Sequence, residues 1–222
     1  MRVMILQPTY WARCHFWNRY LNADVFVWLD HVQFARSRTK WEDRTVVESR
    51  AGEPICLRLP LRGTRNVPWR DAGLNDGWRK HGLTMRHCYG KAIGWHELEP
   101  AMDAVYGSEV SRIEEVCWRS FEQVTKLFGN PTRVVRSSTL NPVSAKGELM
   151  LELVQRVGGT RYVTGEPGAT YLDQEAFRRA GVEIEIQRWT APRTGRGLSN
   201  PSVVHLIAEH GAAAAVKMLR AA

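Results

Sequence analysis

Two stretches decide the fold: Met1-Arg-Val-Met-Ile-Leu-Gln-Pro-Thr-Tyr10 and Val25-Phe-Val-Trp-Leu-Asp-His-Val-Gln33. Each is a short apolar run that breaks off at polar residues, the first at Gln7-Pro8 and the second at Asp30-His31-Val32-Gln33. Runs of this length bounded by turn residues read as buried strands. In an α/β sheet, ligands bind outside the carboxyl ends of the strands. Both stretches deliver their polar residues there.

Working outward, Arg2–Leu6, Asp24–Leu29, Arg133–Arg136, Tyr162–Thr164 and Val182–Ile186 are expected as strands. Helices are expected between several of them. Ser108–Phe128 carries Val110, Ile113, Val116, Cys117, Phe121, Val124 and Leu127 near a 3.6 period. Ser144–Val157 starts with a candidate N-cap serine and is stopped by Gly158-Gly159. Gln174–Ala180 is short and ends at Gly181, and Pro201–His210 and Ala212–Leu219 close the chain. Strands alternating with helices predict a mostly parallel, helix-flanked sheet. Residues 41–78 interrupt that rhythm. Arg44–Glu48 and Ile55–Leu61, around Ala51-Gly52-Glu53-Pro54, predict a β-hairpin inserted after the second strand, and Arg62–Trp78 an exposed loop. Thr190–Asn200 has little apolar pattern and reads either as a ligand-covering loop or as a surface connection.

The 222 residues suit a single domain with a real core. No apolar run approaches the roughly 18–20 residues needed to span a bilayer. The start lacks a signal peptide's long apolar region, so the expected compartment is the cytoplasm, with no membrane partner. Cys14, Cys56, Cys88 and Cys117 are scattered without a CxxC, which favours free thiols over a disulfide framework or a metal site. Lys and Arg number 31 against 23 Asp and Glu, a net charge of +8. That excess suits anionic partners such as nucleotides, phosphorylated sugars, a carrier protein or RNA, and equally an arginine-rich surface with no partner.

Polar residues gather after several expected strands. Gln7, Pro8 and Tyr10 follow the first, and His15 lies just inside the helix after it. That start is faintly similar to nucleotidylyltransferases, but it has one histidine and no GxGxxG. Cys14 beside His15 invites a thiol nucleophile, although helix neighbours in sequence do not face each other, so a buried small residue is the alternative. Asp30 and His31 after an apolar strand suit a general base or a substrate-orienting carboxylate, and also a turn or cap. Arg36, Arg38, Lys40, Trp41 and Arg44 form a basic, aromatic segment, suited to phosphate and stacking or simply to a solvated face. Ser137-Ser138 after the third strand can bind phosphate or cap a helix. Thr164-Gly165-Glu166-Pro167-Gly168, followed by Tyr171, permits close backbone approach to a ligand.

In their order these segments resemble the WbqC-like family, from Arg2 to about Gly211. Gln7-Pro8-Thr9-Tyr10 stands where members tend to read "QPYF.P", and Asp30-His31-Val32-Gln33 where they read "DDVQ". Trp41 and Arg44 fall on an aromatic and "NR" pattern. Leu59-Pro60-Leu61 with Trp69 follows "lPl…W", and Trp78 opens "W..kh". Ser137-Ser138-Thr139-Leu140 matches "SS.L", and Tyr162 to Leu172 matches "Y.sG.g...Yl". His31 and His205 stand where the family usually has carboxylates, which puts any mechanism needing those carboxylates in doubt; the readings are a pH-sensitive variation with the two sites as neighbours, and equally independent drift at two unconnected surface positions. WbqC-like proteins occur among genes for O-antigen and specialised-metabolite assembly and have been proposed as aminoacyl transferases. The resemblance therefore implies a Rossmann-like α/β fold and aminoacyl or acyl transfer to an amino sugar or small amine. The activated donor would ride on a carrier protein, tRNA or nucleotide, and no cofactor is implied. Asp30, His31, Gln33 and His205 are the expected catalytic residues, with Gly165 and Gly168 holding an oxyanion and Arg36, Arg38 and Arg44 the donor's phosphates. A nucleotidyl- or adenylyl-transferring enzyme and a non-catalytic RNA- or carrier-binding protein remain as rivals.

Overall fold

The computed structural model describes residues 1–34, 42–63, 66–195 and 197–220. The two opening runs lie side by side as parallel strands, β1 (Arg2–Leu6) and β2 (Val25–Trp28), in register from Val3↔Val25 to Leu6↔Trp28. Helix α1 (Cys14–Leu21) connects them. The antiparallel hairpin β3 (Arg44–Glu48) and β4 (Pro54–Arg58) follows, then a smaller antiparallel pair, β5 (Leu61–Arg62) with β6 (Gly73–Leu74). Helices α2 (Lys80–Tyr89), α3 (Trp95–Tyr106) and α4 (Ile113–Phe128) bring the chain back to β7 (Arg133–Arg136). Next come α5 (Lys146–Arg156), β8 (Arg161–Thr164), α6 (Glu166–Ala169), α7 (Gln174–Arg179), β9 (Glu183–Ile186), α8 (Val203–His210) and α9 (Ala212–Arg220).

The five-stranded sheet runs β7-β2-β1-β8-β9, every neighbouring pair parallel. Order reverses between β1 and β8, where successive strands begin to be laid down on the opposite side. This is a Rossmann-like arrangement with a hairpin inserted after the second strand, and the β1/β8 boundary is its switch point. No helix among the described residues is long and apolar enough to cross a membrane.

Period-two side-chain direction divides the core into two layers. Met4, Phe26 and Trp28 face one side, with residues of α1, α4, α8 and α9; Val3, Ile5, Val25 and Val27 face the other, with α5 and α7. All four β2 residues are buried, as expected of a strand covered on both faces. On the first side Phe121 sits among Phe16, Trp17, Tyr20, Phe26 and Trp28, with ring centroids 5.2–6.2 Å away. Most of these contacts are tilted or edge-on, the favourable geometries for rings. The second side is mainly aliphatic, built on Leu149, Leu153 and Val154, with Tyr162 stacked on Phe177 (5.9 Å between centroids).

Several expectations are corrected. The 62–78 stretch is no exposed loop: Trp69 and Trp78 are each 1% exposed, and the segment contributes β6 and a 3-10 turn. Helix α4 begins at Ile113 instead of Ser108, because Glu115 Oε2 accepts the Ser111 and Arg112 amides and closes the N-terminus there. Ser144 caps nothing with its side chain. The N-cap of α5 is Ala145, and Glu152 instead accepts the Val143 and Ser144 amides. Helices α2 and α3 carried breakers, Gly82 and Pro100, that concealed them in the sequence. Gly82 is needed: a Cβ there would lie 2.6 Å from the Tyr106 ring.

Candidate functional site

Two polar constellations occupy the carboxyl edge of the sheet. The first lies over β1, β2 and β7. Asp30, one residue past Leu29, is 2% exposed and accepts from four donors. The Ser137 hydroxyl (2.9 Å) and the Ser138 amide (2.9 Å) reach Oδ1, while the Ser138 hydroxyl (2.7 Å) and Arg136 Nη1 (3.5 Å) reach Oδ2. Burial raises its pKa, but the bonds from Ser138 and Ser137 and the Arg136 charge outweigh it and hold the carboxyl below its usual range. Arg136 in turn donates to the buried Glu114 (2.7 Å), which accepts the Trp28 indole N–H (2.7 Å), and its guanidinium lies 4.3 Å from the Trp118 ring centroid. Four donors fill the lone pairs of an ionised carboxylate. Asp30 is therefore a hub tying β2 to β7.

His31 is the group this hub positions. Its Nδ1 lies 2.6 Å from Ser137 Oγ. A hydroxyl has one hydrogen, and the ionised Asp30 is the stronger acceptor for it. Ser137 also accepts the Asp30 amide at 3.1 Å. His31 Nδ1 must then carry a hydrogen and donate to Ser137, leaving Nε2 as a free lone pair. Burial lowers the His31 pKa, and the Asp30 carboxylate only partly offsets that, so the ring is neutral near pH 7. The loop beyond completes the group. The Trp69 amide donates to Val32 O and the Arg70 amide to Asp30 O, while the Trp69 indole N–H reaches Gln7 Oε1 at the tip of β1 (3.2 Å). Gln33 is exposed and bridges Pro68 through its backbone.

The second constellation is a cleft of about 630 Å³ over β8 and β9, lined in part by His15, Arg19, Gly165, Gln187, Arg188 and Trp189. Arg19 is 6% exposed, and its Nε and Nη2 both donate to Gln187 Oε1 (3.1 and 2.8 Å). Gln187 Nε2 donates to His15 O and Asn18 Oδ1, locking α1 to the end of β9. Asn200 grips His15 from the other side: Oδ1 accepts the His15 amide (3.0 Å), and Nδ2 lies 2.7 Å from Nδ1. An amide NH₂ only donates, so His15 Nδ1 accepts and its hydrogen sits on Nε2. Burial, aided by the Arg19 charge, pushes the His15 pKa down to about 4.

Other expected residues are placed elsewhere. Tyr10 is fully buried in the core, its hydroxyl bonded to His81 and Tyr106, because Trp11 turns the chain with φ 39°. Thr45 and Ser202 hydroxyls stabilise that rare conformation by donating to Trp11 O. Pro8 is buried beside it. His205, 8% exposed in α8, packs on Tyr89 of α2, while His31 bonds to Ser137 after β7. Cys14 is fully buried, its thiol pushed up to about 12, which removes it as a nucleophile. The Ser137 and Ser138 hydroxyls bond to Asp30, and Ser137 also to His31. Thr164 is buried, and Gly168 is glycine for packing, since a Cβ would meet Thr164 Oγ1 at 2.3 Å. The Gly168 amide donates to Gly165 O, so it supplies no oxyanion donor. Tyr171 is exposed, and Arg44 sits in β3. Arg36, Arg38, Lys40 and Trp41 lie outside the described residues. Among the described residues no cluster of His, Cys, Asp and Glu could hold a metal. Arg19, Gln187, Asn200 and Arg136 were not foreseen. The signal for Arg19 was its position one helical turn after His15.

Comparison with known proteins agrees with the order of these segments. The chain is 22% identical over 188 residues to the uncharacterized protein Rv1507c of Mycobacterium tuberculosis, an alignment spanning 82% of this chain and 80% of that one. No solved structure matches the chain significantly. The WbqC-like protein family matches residues 7–207. The chain belongs to the WbqC-like protein family.

Proposed function

We propose that the protein transfers an aminoacyl or acyl group to an amino sugar or another small amine, with His31 as general base. The observation that carries this reading is the chain Asp30–Ser137–His31 at the carboxyl edge of the sheet. It fixes the imidazole tautomer and leaves Nε2 unprotonated, while burial keeps the ring neutral near pH 7, which are the properties a general base requires. His31 Nε2 takes the proton of the acceptor amine as the nitrogen attacks the acyl carbonyl. The tetrahedral intermediate then collapses, and the imidazolium returns the proton to the departing thiol or hydroxyl of the donor. Gln7 and Gln33 border the group and can orient the acceptor. The setting of WbqC-like proteins in surface-polysaccharide and natural-product assembly supports such an acceptor.

The test is mass-resolved product detection. Purified protein is incubated with aminoacyl-tRNA, acyl carrier proteins or acyl nucleotides, together with amino-sugar acceptors. A product heavier by the acyl group supports the proposal. Pyrophosphate release from a nucleotide donor points instead to nucleotidyl transfer. RNA or carrier-protein affinity that falls steeply with salt, without turnover, points to a binding protein.

A further inference from the structure

We propose that the cleft over β8 and β9 binds the phosphate group of a small-molecule ligand, held by Arg19 and His15. Arg19 is a cation more than nine-tenths buried, and no carboxylate lies within ion-pair distance of it among the described residues. Its bonds go to the amide oxygen of Gln187, which orients the guanidinium without cancelling its charge. Burying a cation uncompensated is costly, and an anion entering the cleft removes that cost. Two of the five guanidinium hydrogens are engaged by Gln187, which leaves three donors.

The surroundings match an anion in shape and donor set. Gly165 lies against the guanidinium: a Cβ there would come within 3.3 Å of Arg19 Nη2. The glycine thus keeps that side of Arg19 open to the cleft. Asn200 leaves His15 with Nε2–H as its remaining donor. The ring stays neutral across the physiological range, so it contributes a hydrogen bond and no second positive charge competing with Arg19. Arg188 lines the same cleft, and the one acid there, the exposed Glu166, makes no ion pair with Arg19. A phosphate offers three oxygens and up to two charges to these donors; a carboxylate offers one charge in one plane. A volume of about 630 Å³ leaves room for the rest of a phosphorylated molecule beside Trp189. This site lies on strands other than those of His31, and its occupancy is read without turnover, so it stands or falls independently of the transfer reading.

The experiment is calorimetric titration of the full chain with inorganic phosphate and pyrophosphate, and with acetate at matched ionic strength. Wild type should bind phosphate or pyrophosphate saturably and acetate far more weakly. Arg19→Met, which keeps most of the buried volume, should weaken binding roughly 10- to 100-fold, the range of a charge-assisted hydrogen bond. Gly165→Ala should weaken it while keeping the wild-type melting temperature, because φ −87° and ψ 163° suit alanine. If Arg19→Met does not fold, Gly165→Ala decides. Acetate binding as tightly as phosphate, no saturable binding by wild type, or unchanged affinity in a folded variant would each overturn the proposal.

Discussion

Asp30→Asn separates a structural hub from a catalytic base. Asp30 takes two donors on each carboxylate oxygen, and of these the Ser138 amide and Arg136 can only donate. Asparagine offers one oxygen and one NH₂. Its best orientation keeps the oxygen on Ser137 and the Ser138 amide and turns the NH₂ toward Ser138 Oγ, which can rotate to accept. Arg136 then faces a donor, and its attraction to Asp30 is lost. Hydrogen bonds to charged groups contribute about 1.5–3 kcal/mol. We expect a loss of about 2–3 kcal/mol, or roughly 4–12 °C in melting temperature at 2–4 °C per kcal/mol for a chain of this size. The assay is thermal unfolding followed by near-ultraviolet circular dichroism, which reports on Trp28 and Trp118 beside the network. The pH dependence has a definite sign. The folded-state pKa of Asp30 lies below its unfolded value, so its contribution is complete above the ordinary carboxylate range and disappears as pH falls through the folded value. The gap between wild type and variant should therefore close in strong acid. An Asp30→Asn protein with wild-type melting temperature at pH 7 would refute the hub.

Three further outcomes are expected. His15 and His81 have folded pKa values near 4 against an ordinary 6.5, chiefly through burial, so the unfolded chain binds protons first. Stability by urea denaturation should be level above pH 6.5 and decline from 6.5 to 4; a flat profile across that window would contradict the placement of these rings. Ser137→Ala removes the acceptor for His31 Nδ1 and the hydroxyl donor to Asp30 Oδ1, while the Asp30 amide keeps Trp28 O, at a cost of about 1–3 kcal/mol. Nitrogen-15 NMR of the histidine rings should show His31 as the Nδ1–H tautomer in wild type and a mixed population in the variant. Gly94→Ala places a Cβ 2.0 Å from the Ile207 carbonyl oxygen, where α3 meets α8, and backbone cannot yield as a side chain would. Its midpoint in urea should fall by the equivalent of about 3 kcal/mol, the upper part of the overpacking range.

The sheet was legible because its signal is local. Runs such as Val25-Phe-Val-Trp28 are short, apolar and bounded by polar residues, and the positions of all five strands follow from that. The segment from Lys80 to Tyr106 was not; its helices contain Gly82 and Pro100, residue types that disfavour helix interiors. Tertiary packing explains the glycine, which lets α2 approach Tyr106 closely. The site was legible as a location, at the carboxyl ends of the strands, but not as a division of labour. Asp30 and His31 are adjacent in sequence, yet what makes one the hub and leaves the other available is the number of donors around each, and those come from Ser137 and Ser138 more than a hundred residues away. Tyr10 was misread for a similar reason. One positive φ at Trp11 sends it into the core, and nothing in the local pattern marks that turn. Arg19 is silent in sequence because its distinctive property, burial with no carboxylate partner among the described residues, exists only once β9 brings Gln187 to it.

His31, held by Ser137 and Asp30, is proposed as the base of a transfer reaction. Its most direct test is turnover by wild type and His31→Gln with the same charged donor and amine acceptor. We expect acyl-transfer product from wild type and a loss of about 10²- to 10⁴-fold in rate for the folded variant, the usual contribution of general base catalysis. Undiminished turnover in His31→Gln would contradict it.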